Sequence, residues 1–231
     1  MTHALHESGE TRPELVVLDV NETLSDLSPL GEVFTDIGLD SSEVGAWFAG
    51  VLRDAFALTV LGDNPSFADI GSAWLRVRLA AAGSSDPAGG AREVMDHFAN
   101  LDPHPDVVPG LKKLAAAKCR LVTLSNGSAA IAESLLGKSG SGCVIEGYLS
   151  VEDAGIWKPA RRAYAYALSA TSVPAGRAML VAVHPWDIEG ARRAGLQTAW
   201  INRTGDDYPD HLPRADVEAS SLVELAQIIA R

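Results

Sequence analysis

Leu15–Leu30 reads LVVLDVNETLSDLSPL, and this stretch decides the fold. Four apolar residues run straight into Asp19, and a polar, turn-prone string follows with a threonine at position 23. A continuous apolar run with no alternation fits a strand buried on both faces, as in a parallel sheet. A first strand over Leu15–Asp19 then sets a carboxylate on the carboxyl rim of that sheet. In open α/β sheets, ligands bind along this rim.

The rest of the chain supplies the sheet's partners. From residue 104 onward, PGLKKLAAAK reads as a helix and CRLVTLSNG as a strand ending in polar residues. A helix (129–136), a strand (144–149), a helix (161–169), a strand (178–183), a helix (188–194) and a strand (198–201) follow, and SLVELAQIIA closes the chain as a helix. Strands alternating with helices predict a parallel sheet covered on both faces. Between about 28 and 100 the pattern is helical instead. Val44, Trp47, Val51, Leu52, Ala55 and Phe56 recur at spacings of three and four, as do Phe67, Ile70, Trp74 and Val77. GGAREVMDHFANL is a third candidate helix. The expected organisation is a disordered tail over 1–13, a core from 14–29 and 103–231, and a helical insert over 30–102.

Bulk properties narrow the function. The 231 residues are 47% hydrophobic and 21% charged, with a net charge of −11. Such a surface repels phosphate polymers, so nucleic acid is not an expected partner. The N-terminal segment is polar, without the apolar centre of a secretion signal. No apolar run approaches the ~18 residues of a membrane span, so the expectation is a cytoplasmic protein with no membrane partner. Cys119 and Cys143 are expected to be small buried hydrophobes. The phosphate-loop-like AESLLGKS (132–139) lacks its first glycine and falls inside a helical pattern, so it carries no nucleotide site.

Reading the strand ends in order gives Asp19, then Ser125-Asn126-Gly127, then His184-Pro185-Trp186-Asp187, with Lys158 in the loop before a helix. These groups of complementary charge converge on one rim and suit a small anionic substrate. Asp187 also suits the N-cap of a helix starting at Ile188. A carboxylate facing a lysine stays ionised and is a plausible covalent nucleophile. Asp19 would attack carbon or phosphorus, and water would then hydrolyse the ester. Ser125, Thr23 and the amides around Asn126-Gly127 would hold the substrate's anionic end.

LDVNETL, LVTLSNG, WKPARRAY and VHPWD, in this order and with a helical insert after the first, resemble the haloacid dehalogenase superfamily, and most closely its L-2-haloacid dehalogenase branch. INRTG at 201–205 resembles that branch too. The resemblance implies a Rossmann-like core with a helical cap after the first strand and an active site between them. It puts Asp19 on the nucleophile, Thr23 on its threonine, and Ser125 and Asn126 on the substrate-carboxylate pair. Lys158, Tyr164 and Asp187 match the lysine, the tyrosine and the distal acid. Val20, Asn21, Phe48, Arg53 and Trp186 complete the candidate substrate contacts. The implied activity is hydrolytic dehalogenation of short 2-haloacids, haloacetates included, with no cofactor; homodimers are common in the branch.

Two departures bear on the reaction. Phosphatases of the superfamily resemble D-x-D, whose second aspartate protonates the leaving alkoxide, and here that residue is Asn21. A halide leaves without a proton, so Asn21 favours carbon–halogen cleavage. The alternatives are a Mg2+-dependent phosphatase, with Asp19, Asn21 and Asp187 on the metal, or a silent scaffold. The branch's halide-binding arginine is replaced by Phe48; Arg53, five residues on and about 140° further round a helix, is not an automatic substitute and reads equally as a surface arginine beside Asp54. Its serine and asparagine near the last motif are Ala182 and His184. His184 would bind the leaving halide or help activate the hydrolytic water.

Overall fold

The computed structural model describes residues 12–231; most of the expected tail lies outside them. Six strands form one parallel sheet in the order β3-β2-β1-β4-β5-β6. They are β1 (Leu15–Leu18), β2 (Arg120–Ser125), β3 (Gly147–Ser150), β4 (Ala178–Ala182), β5 (Gln197–Ile201) and β6 (Val217–Ala219). Every residue of β1 and β4 is buried. On one face, Val16, Leu18, Leu121 and Val181 pack against α5 (Val107–Ala116), α6 (Ala129–Lys138) and α10 (Leu222–Ile229). On the other, Leu15, Val17, Val122 and Leu180 pack against α8 (Arg161–Thr171) and α9 (Pro185–Arg193), and a single turn, α7 (Val151–Ala154), follows β3. This two-sided cover is the reason the strands carry no alternation.

The strand order reverses between β1 and β4, which opens a crevice at their carboxyl ends. Leu18 lies level with both Thr123 and Val181, so the residues that follow β1, β2 and β4 emerge on one rim. Between β1 and α5 the chain forms α1 (Leu30–Asp36), α2 (Glu43–Leu61), α3 (Phe67–Ala81) and α4 (Pro87–Phe98). They share an aromatic core in which Trp47 packs against Phe34, Phe67 and Phe98. The outgoing and returning segments are laced together by Asp26 N–H to Asp102 O (2.9 Å) and His104 N–H to Leu24 O (2.9 Å). Trp157 Nε1 donates to Pro65 O at 2.9 Å and ties this helical layer to the rim.

Several expectations are corrected. The first strand ends at Leu18, leaving Asp19 just beyond it. The strand expected over 144–149 begins at Gly147, because Gly142–Val144 curls into a 3-10 turn that leaves Cys143 exposed. Helix α9 begins at Pro185 with His184 as its N-cap residue, so Asp187 sits in the first turn and not at the cap. Val77 is 70% exposed, and the buried residues of α3 are Phe67, Ile70, Gly71, Leu75 and Leu79. By length and hydropathy alone α2 could cross a membrane, contrary to the expectation from apolar runs. In the fold its Trp47, Phe48, Val51, Leu52 and Ala55 are buried.

Candidate active site

Asp19 stands where β1 opens into a tight turn, 3% exposed. Three donors hold its carboxylate. Lys158 Nζ reaches Oδ1 at 2.7 Å, while Thr23 Oγ1 donates to Oδ2 at 2.6 Å. His184 Nδ1 lies 3.3 Å from Oδ2. The threonine is itself fixed, since its hydroxyl accepts the Val183 N–H at 3.1 Å. The four-residue spacing between Asp19 and Thr23 thus closes the turn back onto the end of β4.

Lys158 is fully buried and bridges two carboxylates, its Nζ also 2.7 Å from Asp187 Oδ2. Tyr164 donates its hydroxyl to Asp187 Oδ1 at 2.5 Å. Room for that hydroxyl comes from Gly190, one turn along α9, where a Cβ would lie 2.4 Å from Tyr164 Oη and 2.6 Å from Pro159 Cβ. Asn126 holds the lysine's backbone: its Oδ1 accepts Lys158 N–H at 3.0 Å and its Nδ2 donates to Lys158 O at 3.4 Å. Ser125 Oγ accepts the Gly127 N–H at 2.8 Å, and Asn21 Nδ2 approaches the same turn.

These contacts set the charges. Burial pushes the Asp19 carboxyl up, but Lys158 and the hydrogen bond and charge of His184 outweigh it and hold it well below the usual carboxylate range. Asp187 goes the other way: burial and the charge on Asp19 raise it against the pull of Lys158. Lys158 is raised, because two carboxylates overcome its burial. The Tyr164 phenol is raised well above 10, by burial first and the Asp187 charge second. His184 is pushed up to about 9: burial works against the proton, and hydrogen bonds and charge from Asp19 and Glu22 prevail.

His184 thus lies between two carboxylates, its Nε2 2.8 Å from Glu22 Oε2. Glu22 was not anticipated. It adopts a left-handed φ of 61°, and its carbonyl bonds His104 Nε2 at 3.1 Å. The signal that would have found it is the unusual histidine itself, which needs a partner on the polar turn after Asp19. Phe48, standing where the arginine was expected, stacks on His184 with centroids 6.0 Å apart and rings within 19°. Trp186 also packs against it, at 5.1 Å between centroids, and lies 6.0 Å from Lys158 Nζ.

Asp19, Thr23, Lys158, His184 and Asp187 therefore converge, with Ser125, Asn21, Phe48 and Trp186 around them. Two candidates differ from expectation. Arg53 is 72% exposed and pairs with Asp54 at 2.8 Å, since the helix phase turns it to the surface. The Val20 side chain lies in the hydrophobic core with Val16 and Leu18, leaving only its backbone near the site. The side chain of Asn126 bonds the Lys158 backbone, and the hydroxyl of Tyr164 bonds Asp187. Nor does the donor set suit Mg2+. Asp19 Oδ1 and Asp187 Oδ2, the oxygens such an ion would need, already share the Lys158 ammonium, and residue 21 is a neutral amide.

The chain resembles characterised proteins over most of its length. It is 27% identical to the (S)-2-haloacid dehalogenase H-109 of Pseudomonas putida over 194 residues, 83% of this chain and 87% of that one. It is 33% identical to the haloacetate dehalogenase H-2 of Moraxella sp. (strain B) over 142 residues, 62% of this chain and 63% of that one. Among solved structures, an L-2-haloacid dehalogenase superposes with a TM-score of 0.88 at 25% identity, covering 96% of this chain and all of the other. A dehalogenase solved with an intermediate complex gives 0.87 at 25% identity, covering 95% and 98%. Residues 13–195 match the family described as haloacid dehalogenase-like hydrolase, and the chain belongs to that family.

Proposed function

We propose that the protein is a hydrolytic dehalogenase of short 2-haloacids, working through an ester on Asp19 with no metal. The observation that carries this reading is the environment of Asp19: a buried carboxylate held ionised by Lys158, Thr23 and His184. The names borne by the relatives, (S)-2-haloacid and haloacetate dehalogenase, support the substrate class.

In the first half-reaction an Asp19 oxygen attacks C2 of the acid. The C–O bond forms, the C–X bond breaks, and the electron pair leaves with the halide. Ser125, Asn21 and the backbone amides of the 125–127 turn receive the substrate carboxylate. The cation that faces the departing halide is His184, beneath Phe48, in place of an arginine. In the second half-reaction water attacks Cγ of Asp19. Lys158, on Oδ1, stabilises the charge that develops there, and the Cγ–O bond to the product breaks to give a 2-hydroxyacid.

Esterification removes the negative charge of Asp19 and with it one of the two supports of the His184 proton. The Nδ1 proton, which faced Asp19, leaves to solvent while Nε2 keeps its own proton on Glu22, 2.8 Å away. Nδ1 then accepts a proton from the attacking water and returns it to the departing alkoxide oxygen, and the remaining proton passes from the Asp19 carboxyl to Nδ1, which restores the starting pair. Helices α1–α4 act as the cap that keeps the first step dry. The test is halide release from fluoroacetate, chloroacetate and both 2-chloropropionate enantiomers with EDTA present, for wild type and Asp19→Asn. Release that resists chelation and vanishes in the variant is expected. Phosphate release from esters that depends on magnesium, with no halide from any acid, would replace this reading with a phosphatase.

A further inference from the structure

Ester hydrolysis needs water at a carboxyl that the fold has almost sealed. Of the side chains that hold Asp19, Lys158 and Thr23 are both fully buried. Asp187 and Tyr164, behind the lysine, are equally inaccessible. His184 is the exception, with 14% of its side chain exposed, and its partner Glu22 has 39%. Both residues line a cavity of about 530 Å³, together with Val183, just beyond β4, and Pro185, the first residue of α9. Asp19 itself is not part of the cavity wall. Among the described residues that line the cavity, His184 is the one whose side chain bonds the Asp19 carboxylate.

The walls are largely apolar, with Leu27, Val183, Trp200 and Ile201 among them, and carry polar groups at Asp26, His104, Arg203 and Asp207 to which water can bond; the volume has room for on the order of ten waters. The wall next to the nucleophile is firmly braced. Arg203 Nη2 donates to Thr23 O at 2.7 Å and its Nη1 to Asp106 Oδ1 at 2.6 Å, while His104 holds the carbonyl of Glu22. The turn that carries Asp19, Glu22 and Thr23 is thereby pinned from the cavity side by two side chains that touch neither nucleophile nor substrate.

We infer that this cavity is the solvent chamber of the hydrolytic half-reaction, supplying the water that attacks the Asp19 ester and receiving the released proton by way of His184. The inference rests on the dehalogenase reading. Dehalogenation of R–X by water yields R–OH, halide and one proton. Alkylation releases the halide and consumes no water; ester cleavage consumes the water and supplies the proton that restores His184. Only the second half-reaction depends on the chamber.

That separation makes the test. Ser28 and Asp207 are exposed residues on the cavity wall, away from the catalytic groups. Ser28→Trp and Asp207→Trp narrow the chamber from two sides, with Ser28→Ala as control, and circular dichroism checks each fold. Enzyme is mixed rapidly with 2-chloropropionate, and the halide burst, the mass of the Asp19 ester and the steady-state rate are followed. The expected result is a burst within about twofold of wild type, a persisting ester, and steady turnover slowed by about tenfold or more. Wild-type hydrolysis rates in both folded tryptophan variants would overturn the inference. So would a burst that slows in step with turnover, because the cavity would then be the substrate's entrance. A wild-type enzyme giving no burst with any haloacid would remove the dehalogenase reading, and this inference with it.

Discussion

His184→Asn isolates the charge that distinguishes this site. Asparagine is a good N-cap residue, so the start of α9 is kept, and its amide can still donate to Asp19, but without charge. In the native protein the imidazolium is held from an ordinary 6.5 up to about 9 by Asp19 and Glu22. At about 1.4 kcal/mol per pH unit, that corresponds to about 3 kcal/mol of preference for the charged form in the folded state. A raised value in the fold means that the native state binds more protons than the unfolded chain. The stabilisation is therefore complete below about 6.5 and is lost as pH rises through about 9. Urea unfolding of wild type and variant near pH 6 should differ by about 3 kcal/mol, and the gap should close towards pH 10. A gap that does not change with pH would refute the electrostatic argument. Unchanged turnover of the variant on every active substrate would remove His184 from the chemistry.

Three further outcomes follow from the same geometry. Lys158→Met leaves two buried carboxylates without their shared cation, at a cost of about 3–5 kcal/mol at neutral pH. Because Asp187 already holds its proton above the usual range, the cost should shrink on acidification, as urea midpoints near pH 5 and pH 8 would reveal. Tyr164→Phe deletes the 2.5 Å bond to Asp187, which should cost about 1–3 kcal/mol and lower kcat more than it raises KM. A rise in KM alone would instead mean that the phenol touches substrate. Arg53→Ala should leave both halide release and the thermal midpoint at wild-type values, since the residue faces solvent beside Asp54.

The sheet and the rim were legible because strands buried on both faces, such as LVVL and AMLVA, carry an unbroken apolar signal that ends where the polar groups begin. β6 was not: Val217 and Ala219 are buried around an exposed Glu218, and three residues are too few for alternation to register. α1 was hidden by its seven residues and by the loop-like SDLSP before it. In the site, residue types and spacing marked Asp19, Thr23, Lys158 and Asp187 as candidates, and the fold brings them together. They could not say which partner each group takes. Asn126 turns to a backbone 32 positions away, and Tyr164 to a carboxylate 23 away, choices made by tertiary packing. Glu22 escaped because a left-handed glutamate leaves no mark in sequence, although that conformation turns it towards His184. Phe48 read as the loss of a charge, and nothing in the sequence announced its stacking on His184.

The central claim is that Asp19 carries the substrate as an ester and that water then attacks the carboxyl carbon of Asp19, not C2 of the acid. A single turnover in 18O-water, with enzyme in excess over 2-chloropropionate and EDTA present, tests it directly by mass spectrometry. The account predicts one heavy oxygen in the peptide that contains Asp19 and none at the hydroxyl of the 2-hydroxyacid product. Heavy oxygen at that hydroxyl after one turnover, with Asp19 unlabelled, would mean that water displaces the halide itself and would contradict the account.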